Sequence, residues 1–229
     1  MAMVLVVEEG VEALTVQRLA EVLDYTPGAL YRYFPSMGAV LVALQCRVVE
    51  EYFELFLSAV DRCKRIAIER ELPAAVSALA RILVLAEVYR EFARHRPAQY
   101  RLIALLLGDP RQLVEDDVAG PVVEPMLRVL SLVARQIEEA ASVGALRPGD
   151  SMGRALLLWS GLQGLLQLRK LERFAPETLA FERLAAEMVR ALLGAWGARE
   201  GDIARAEEML LEESRERPLI EAATNREPG

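Results

Sequence analysis

The chain has 229 residues, of which 53% are apolar and only 6% aromatic, and its formal net charge is −7. A core drawn mostly from Leu, Val and Ala favours helices packed on helices over a sheet. The acidic balance excludes a protein that coats nucleic acid with its whole surface, but leaves room for a local DNA-reading patch. Cys46 and Cys63 lie in apolar, helical sequence and read as buried thiols in a reducing compartment rather than a redox pair. The opening "MAMVLVV" has no basic flank and runs straight into Glu8 and Glu9, unlike a secretory signal. No apolar run reaches the ~20 residues of a membrane span. The expectation is a cytoplasmic, soluble protein with no membrane partner.

In chain order, residues 2–9 predict a short helix with Val4, Leu5 and Val7 on its apolar side, ended by Gly10. Thr15 caps a second helix, "VQRLAEVL", whose Val16, Leu19, Ala20 and Leu23 share a face. Asp24 and Tyr25 make a tight turn. Thr26 caps a third helix with Pro27 at its first position, where a missing N–H costs nothing. That helix is expected to run to about Phe34, where Pro35 stops it. Ser36 caps a long fourth helix over 37–69. Further helices are expected at about 73–94, 97–107, 121–143, 150–172 and 177–196. Their punctuation is Pro97, "GDP" at 108–110, "AGP" at 119–121, "GALRPGD" at 144–150 and "FAPET" at 174–178. Residues 201–215 form one more amphipathic helix, and the polar tail beyond Pro218 reads as disordered. The fold class is therefore all-α.

A capped helix of about eight residues, a short turn and a second helix that starts on proline fit a helix-turn-helix. In that motif the second helix enters the major groove with its N-terminal residues toward the base edges. The exposed N–H groups at the starts capped by Thr15 and Thr26 can hold phosphates. Tyr and Arg side chains beside them can donate to phosphate oxygens and, for Arg, to guanine.

The stretch "LTVQRLAEVLDYTPGALYRYFPSMGAVLVAL" at 14–44 resembles the N-terminal domain of the TetR family of bacterial transcriptional regulators. Leu14-Thr15, Leu19-Ala20, Leu30-Tyr31 and the run Tyr33-Phe34-Pro35-Ser36 carry the likeness. The later "GALRPGD" leading into "LLLWSGLQGLLQL" resembles the family's last ligand-domain helices less specifically. The resemblance implies a three-helix head and a larger helical body for ligand binding and dimerisation. It implies that Thr15 and Gln17 touch phosphate, that Pro27, Gly28, Ala29 and Arg32 lie toward the bases, and that Tyr31 and Tyr33 grip phosphates. Thr26 and Ser36, at helix starts, complete the DNA-facing set, and Phe34 ties the recognition helix to the fourth. Where the family usually has a lysine, this chain has Met37. The implied domains are 1–46 for DNA, 47–199 for ligand and dimer, 200–217 as an extra helix and 218–229 as a tail.

Arg18, Arg32 and Arg47 stand against Glu8, Glu9, Glu12, Glu21 and Asp24, so the head is net acidic. Affinity for any duplex comes largely from phosphate neutralisation, so binding should be weak with a shallow salt dependence. The alternative is a helical small-molecule-binding or protein-interaction module whose head has lost DNA binding. In the body, Tyr52, Phe53, Phe56, Tyr89, Phe92, Tyr100, Trp159 and Gln163 are the candidate lining for a small apolar or amphipathic ligand. Two late helices are too apolar for a lone surface, and Gly161 and Gly164 would admit a neighbouring helix. The family resemblance implies a four-helix homodimer interface there, with Leu158, Gly161, Leu162, Leu165, Leu184, Met188 and Leu192 as candidates. The implied partner is double-stranded, palindromic operator DNA. An enzyme is not expected: His95 is the single histidine, no nucleophile or phosphate-loop signature is present, and Asp116-Asp117 reads as a solvated loop pair. No cofactor or metal is expected.

Overall fold

The structure, a computed structural model, describes residues 1–108, 116–216 and 218. Among these, every regular element is helical. In chain order they are α1 (Ala2–Glu9), a 3₁₀ turn (Val11–Ala13), α2 (Val16–Leu23), α3 (Pro27–Tyr31), α4 (Met37–Glu69), α5 (Ala74–His95) and α6 (Pro97–Gly108). After them come α7 (Asp116–Ser142), α8 (Ser151–Leu168), a second 3₁₀ segment (Arg169–Phe174), α9 (Phe181–Ala195) and α10 (Glu200–Glu216). Among the described residues no helix is long and apolar enough to cross a membrane.

Local chemistry sets the early boundaries. Gly10 adopts φ 92°, ψ 166°, a backbone state that side chains disfavour, and its N–H closes α1 on the Val6 carbonyl. Thr15, Thr26 and Ser36 each accept from the backbone N–H three residues on, at 3.2, 3.2 and 3.1 Å. Each hydroxyl satisfies a donor that has no partner inside its helix.

Four expected boundaries move. α3 ends at Tyr31 rather than Phe34, because the last turn tightens: the Tyr33 and Phe34 N–H groups both donate to the Leu30 carbonyl. α8 ends at Leu168 and continues as 3₁₀ turns, and α9 begins at Phe181 rather than 177. α7 departs furthest, starting at Asp116 and running through "AGP", so Asp116 and Asp117 open a helix instead of sitting in a loop. Pro121 and Pro125 both lie inside it. Proline at 125 leaves the Pro121 carbonyl without its helical donor, and the Cys46 thiol of α4 donates to it at 3.5 Å. The rest of "GDP", at 109–110, and the tail beyond Pro218 lie outside the described residues.

Two compact units divide the chain: Met1–Glu54 with Phe92–Arg128, and Leu55–Glu91 with the chain from Val129 onward. In the first, Leu19, Ala20, Leu30 and Val40 form one buried cluster. Leu5, Val6 and Leu14 form another, against which Ala98 of α6 packs. Met37 and Leu44 pack on both clusters and so join α4 to α1, α2 and α3. Deeper in this unit the Gln45 amide, 1% exposed, donates to the Leu102 carbonyl at 2.8 Å.

In the second unit α8 lies against α9, and a Cβ on Gly161 would come within 2.4 Å of the Met188 sulfur. The buried Arg81 guanidinium is shared among Gln136 at 2.9 Å, Glu139 at 3.1 Å and Ser77 at 3.2 Å. The "GALRPGD" corner is fastened to the end of α9. There the Arg147 N–H donates to the Trp196 carbonyl at 2.8 Å, and Arg154 sits 5.5 Å over the Trp196 ring. α10 buries Ile203, Ala206 and Met209. Ion pairs fasten it to α4 through Arg62–Glu213 at 2.5 Å and Arg70–Glu212, and to α9 through Arg190–Glu207.

Candidate nucleic-acid interface

The turn between α2 and α3 is shaped by Asp24, which adopts a left-handed φ of 55°, and by the Tyr25 N–H, which donates to the Ala20 carbonyl at 2.9 Å. Asp and Asn tolerate this conformation better than larger side chains. Leu19, Ala20 and Leu30 close the angle from inside, at 2%, 2% and 7% exposure. With Leu30 anchoring α3, its opposite side faces out. Thr15, Gln17, Thr26, Pro27, Gly28, Tyr31, Arg32 and Tyr33 are exposed, while Ala29 and Ser36 are half-buried. All of these except Ser36, the cap of α4, lie between Thr15 and Tyr33, on the helix-turn-helix and the residues that directly follow it.

Three tyrosines stand out. Tyr25, Tyr31 and Tyr33 are 53%, 53% and 68% exposed, so their rings gain little from burial while their hydroxyls point outward within nine residues of chain. Tyr25 was absent from the sequence-based set. An aromatic residue in a two-helix turn, just before an N-cap, was the available signal.

Charge on this face is more guarded than the sequence implied. Arg18 holds Glu9 at 2.5 Å and Glu21 at 3.2 Å. Hydrogen bonding to Arg18 lowers the Glu9 pKa, and bonding to Glu9 raises that of Arg18. The Glu21 contact, three residues away on one helix, was legible; the Glu9 contact across α1 and α2 was not. Met37 is half-buried in the apolar clusters. Among the described residues Arg32 makes no ion pair.

The candidate ligand residues divide between the two units. In the first, Tyr52 and Phe92 are buried with ring centroids 5.0 Å apart, Phe53 lies 5.0 Å beneath the Arg128 guanidinium, and Tyr100 is half-buried. In the second, the buried Tyr89 hydroxyl donates to Gln163, Phe56 is buried and Trp159 is half-buried.

Of the candidate interface residues, Leu158 and Leu162 point into their own unit at 3% exposure each. Gly161, Leu165, Leu184, Met188 and Leu192 are half-buried. Exposed apolar residues on α8 and the 3₁₀ segment after it include Leu157, Leu168 and Phe174, at 59%, 52% and 70%, and also Met152, Leu156 and Leu171, with Gly164 open to space. Among the described residues no group of three or more His, Cys, Asp or Glu side chains could hold a metal ion.

The family described as bacterial regulatory proteins, tetR family, matches residues 1–44. A second family, described as tetracyclin repressor-like, C-terminal domain, matches residues 82–192. A curated relative, the nucleoid occlusion factor SlmA of Haemophilus ducreyi, is 32% identical over 96 residues. That match spans 42% of this chain and only 42% of the relative's length.

Among solved structures, a protein of unknown function from Rhodococcus sp. RHA1 superposes with a TM-score of 0.61 at 21% identity, covering 85% of this chain and 91% of that one. AibR, crystallised with isovaleryl coenzyme A and operator DNA, gives 0.55 at 19%, covering 84% and 94%. SmeT, the repressor of the Stenotrophomonas maltophilia multidrug efflux pump SmeDEF, gives 0.54 at 18%, covering 100% and 93%. At these identities the likeness is one of fold.

Proposed function

From a chain that belongs to the TetR family of bacterial regulatory proteins, we propose a repressor that binds palindromic operator DNA as a homodimer. A small apolar or amphipathic effector releases it. The observation that carries the reading is the helix-turn-helix face, where Tyr25, Tyr31, Tyr33 and Arg32 are exposed around two threonine-capped helix starts. Hydroxyls and helix-start N–H groups there serve as phosphate donors, and Arg32 reaches base edges. The head comprises about residues 1–46 and the effector and dimer body 47–199. AibR, a neighbour in fold, was solved with both operator DNA and a small acyl-coenzyme ligand, and SmeT is a repressor. Both support the same division of labour here. Such a regulator works in the cytoplasm, where the chromosome is.

A two-fold dimer would place its recognition helices about 34–36 Å apart, one turn of DNA. The outward residues Leu157, Gly164 and Leu168 on α8 support that helix as part of the partner surface. Release follows from linkage: an effector that prefers the state whose heads miss the half-site spacing weakens DNA binding, and DNA weakens effector binding by the same factor.

A second reading rests on the Arg18 clasp and the half-buried Met37, which leave the head poor in free cations. On it the protein is a helical ligand-binding or protein-interaction module that no longer reads DNA. Fluorescence anisotropy of the protein against its own upstream DNA and a scrambled duplex separates the two. Saturable, sequence-dependent binding supports the regulator; equal or absent binding to both duplexes supports the module.

A further inference from the structure

Between α5, α9 and α10 the second unit opens a groove of about 520 Å³, within the size range of small-molecule sites. Its floor is aliphatic: Leu83 and Ala86 of α5 and Val189 of α9 are buried. Ala186 of α9 and Ala204 of α10, both exposed, keep its mouth wide because neither side chain reaches across. One wall is α10, which lies beyond the 82–192 segment that the family match covers.

The charges around this floor are unequal. Glu87, Glu207 and Glu208 line the groove with a single cation, Arg90. Arg90 is already held by Glu87 at 2.9 Å and by Glu182. Arg190, next along α9, is held by Glu200 at 2.6 Å and by Glu207. Two guanidiniums thus face five carboxylates, and Glu208 is exposed with no ion pair among the described residues. The Ser214 hydroxyl is turned back onto the Leu211 carbonyl, so the groove wall offers carboxylates rather than a hydroxyl donor. A cleft with low-dielectric walls and charge of one sign concentrates its field on whatever enters.

We propose that this groove binds a monovalent organic cation with an apolar body, such as a quaternary ammonium, a phosphonium or a hydrophobic amine. The apolar body lies on Leu83, Ala86 and Val189, and the positive centre sits toward Glu208 and Glu207. Anions of the same shape are rejected. The assignment is independent of DNA reading, since a protein whose head reads no operator would keep this groove.

The test uses the full chain and two ions of nearly identical shape and opposite charge, tetraphenylphosphonium and tetraphenylborate, with binding followed by equilibrium dialysis. The phosphonium is expected to bind once per chain, about tenfold or more tighter than the borate, and to weaken as salt rises. Glu208→Gln should weaken the phosphonium about two- to fivefold, the scale of one exposed charge contact. Ala204→Arg, at an exposed helical position that tolerates a long side chain, should abolish binding while circular dichroism and the melting curve stay as in the parent. Equal affinity for the two ions, no binding of the phosphonium, or binding that survives Ala204→Arg would each overturn the proposal.

Discussion

Replacing Arg32 by Ala probes the DNA reading where the head has least redundancy. The side chain is exposed and makes no hydrogen bond or ion pair among the described residues, while its backbone N–H closes the end of α3 on the Ala29 carbonyl at 3.3 Å. Buried Leu30 and half-buried Phe34 hold the segment whatever stands between them, so the variant should fold as the parent does. A bidentate arginine–guanine contact contributes about 1–3 kcal/mol of discrimination, or roughly 5- to 150-fold per half-site. With Arg18 tied to Glu9 and Glu21, and Arg47 paired with Glu51 at 3.3 Å, other cations on the head compensate little.

The expected outcome is a loss of that size for each half-site on operator DNA, with a scrambled duplex almost unaffected, so the specificity ratio collapses. The same scarcity of cations sets the salt dependence of the parent. At about −0.9 per neutralised phosphate, a dimer with one or two free cations per head has a log–log slope no steeper than about −4. Fluorescence anisotropy on both duplexes at several salt concentrations measures both quantities. An equal loss on both duplexes would refute base reading by Arg32, and a much steeper slope would refute the count of free cations.

Other expectations follow from the same contacts. Glu9→Gln leaves Arg18 held by Glu21 alone and should strengthen binding to the scrambled duplex while steepening its salt slope. Gly197→Ala should lower stability by about 1–3 kcal/mol in chemical denaturation, because Gly197 holds φ +106° and a new Cβ would lie 2.8 Å from Arg147 Cγ. Gly161→Ala, by contrast, should be nearly neutral, since the end of Met188 can swing away and alanine favours a helix over glycine by about 0.5–1 kcal/mol. Leu157→Arg should give a folded monomer in analytical ultracentrifugation if α8 is the partner surface.

Burial pushes the Cys63 thiol up to about 12. Between its unfolded value, about 8.5, and that folded value, only the unfolded chain loses the proton. Its contribution to stability is therefore full below about pH 8.5 and falls as pH rises toward 12. Urea melts from pH 8 to 10.5 on the parent and Cys63→Ala measure this: the parent's stability relative to the variant should fall as pH rises. A thiol reagent at pH 8 should label the half-buried Cys46 well before Cys63.

What sequence disclosed about this protein was what neighbouring residues settle among themselves. The hydroxyls of Thr15, Thr26 and Ser36 bond N–H groups three residues on, so the early helix starts need nothing distant. The spacing of Val16, Leu19, Ala20 and Leu23 marked the apolar face of α2, where Leu19 and Ala20 are buried. The DNA-facing placement of the consecutive Tyr31, Arg32 and Tyr33 came from the family resemblance instead.

What sequence could not disclose depended on partners far along the chain. Pro121 read as the start of a helix, yet α7 begins at Asp116 and runs through it, and the carbonyl orphaned by Pro125 finds the Cys46 thiol from another helix. Leu158 and Leu162 read as a partner surface because helical periodicity reveals an apolar face but not what covers it. Arg18 looked available until α1 delivered Glu9 to it. The groove beside α10 has no local signature, since its floor and acidic rim come from α5 and, roughly a hundred residues further on, from α9 and α10. Caps and periodicity act over one turn of helix and are written in sequence; charge pairing and cavities arise from distant segments meeting, which only the tertiary structure decides.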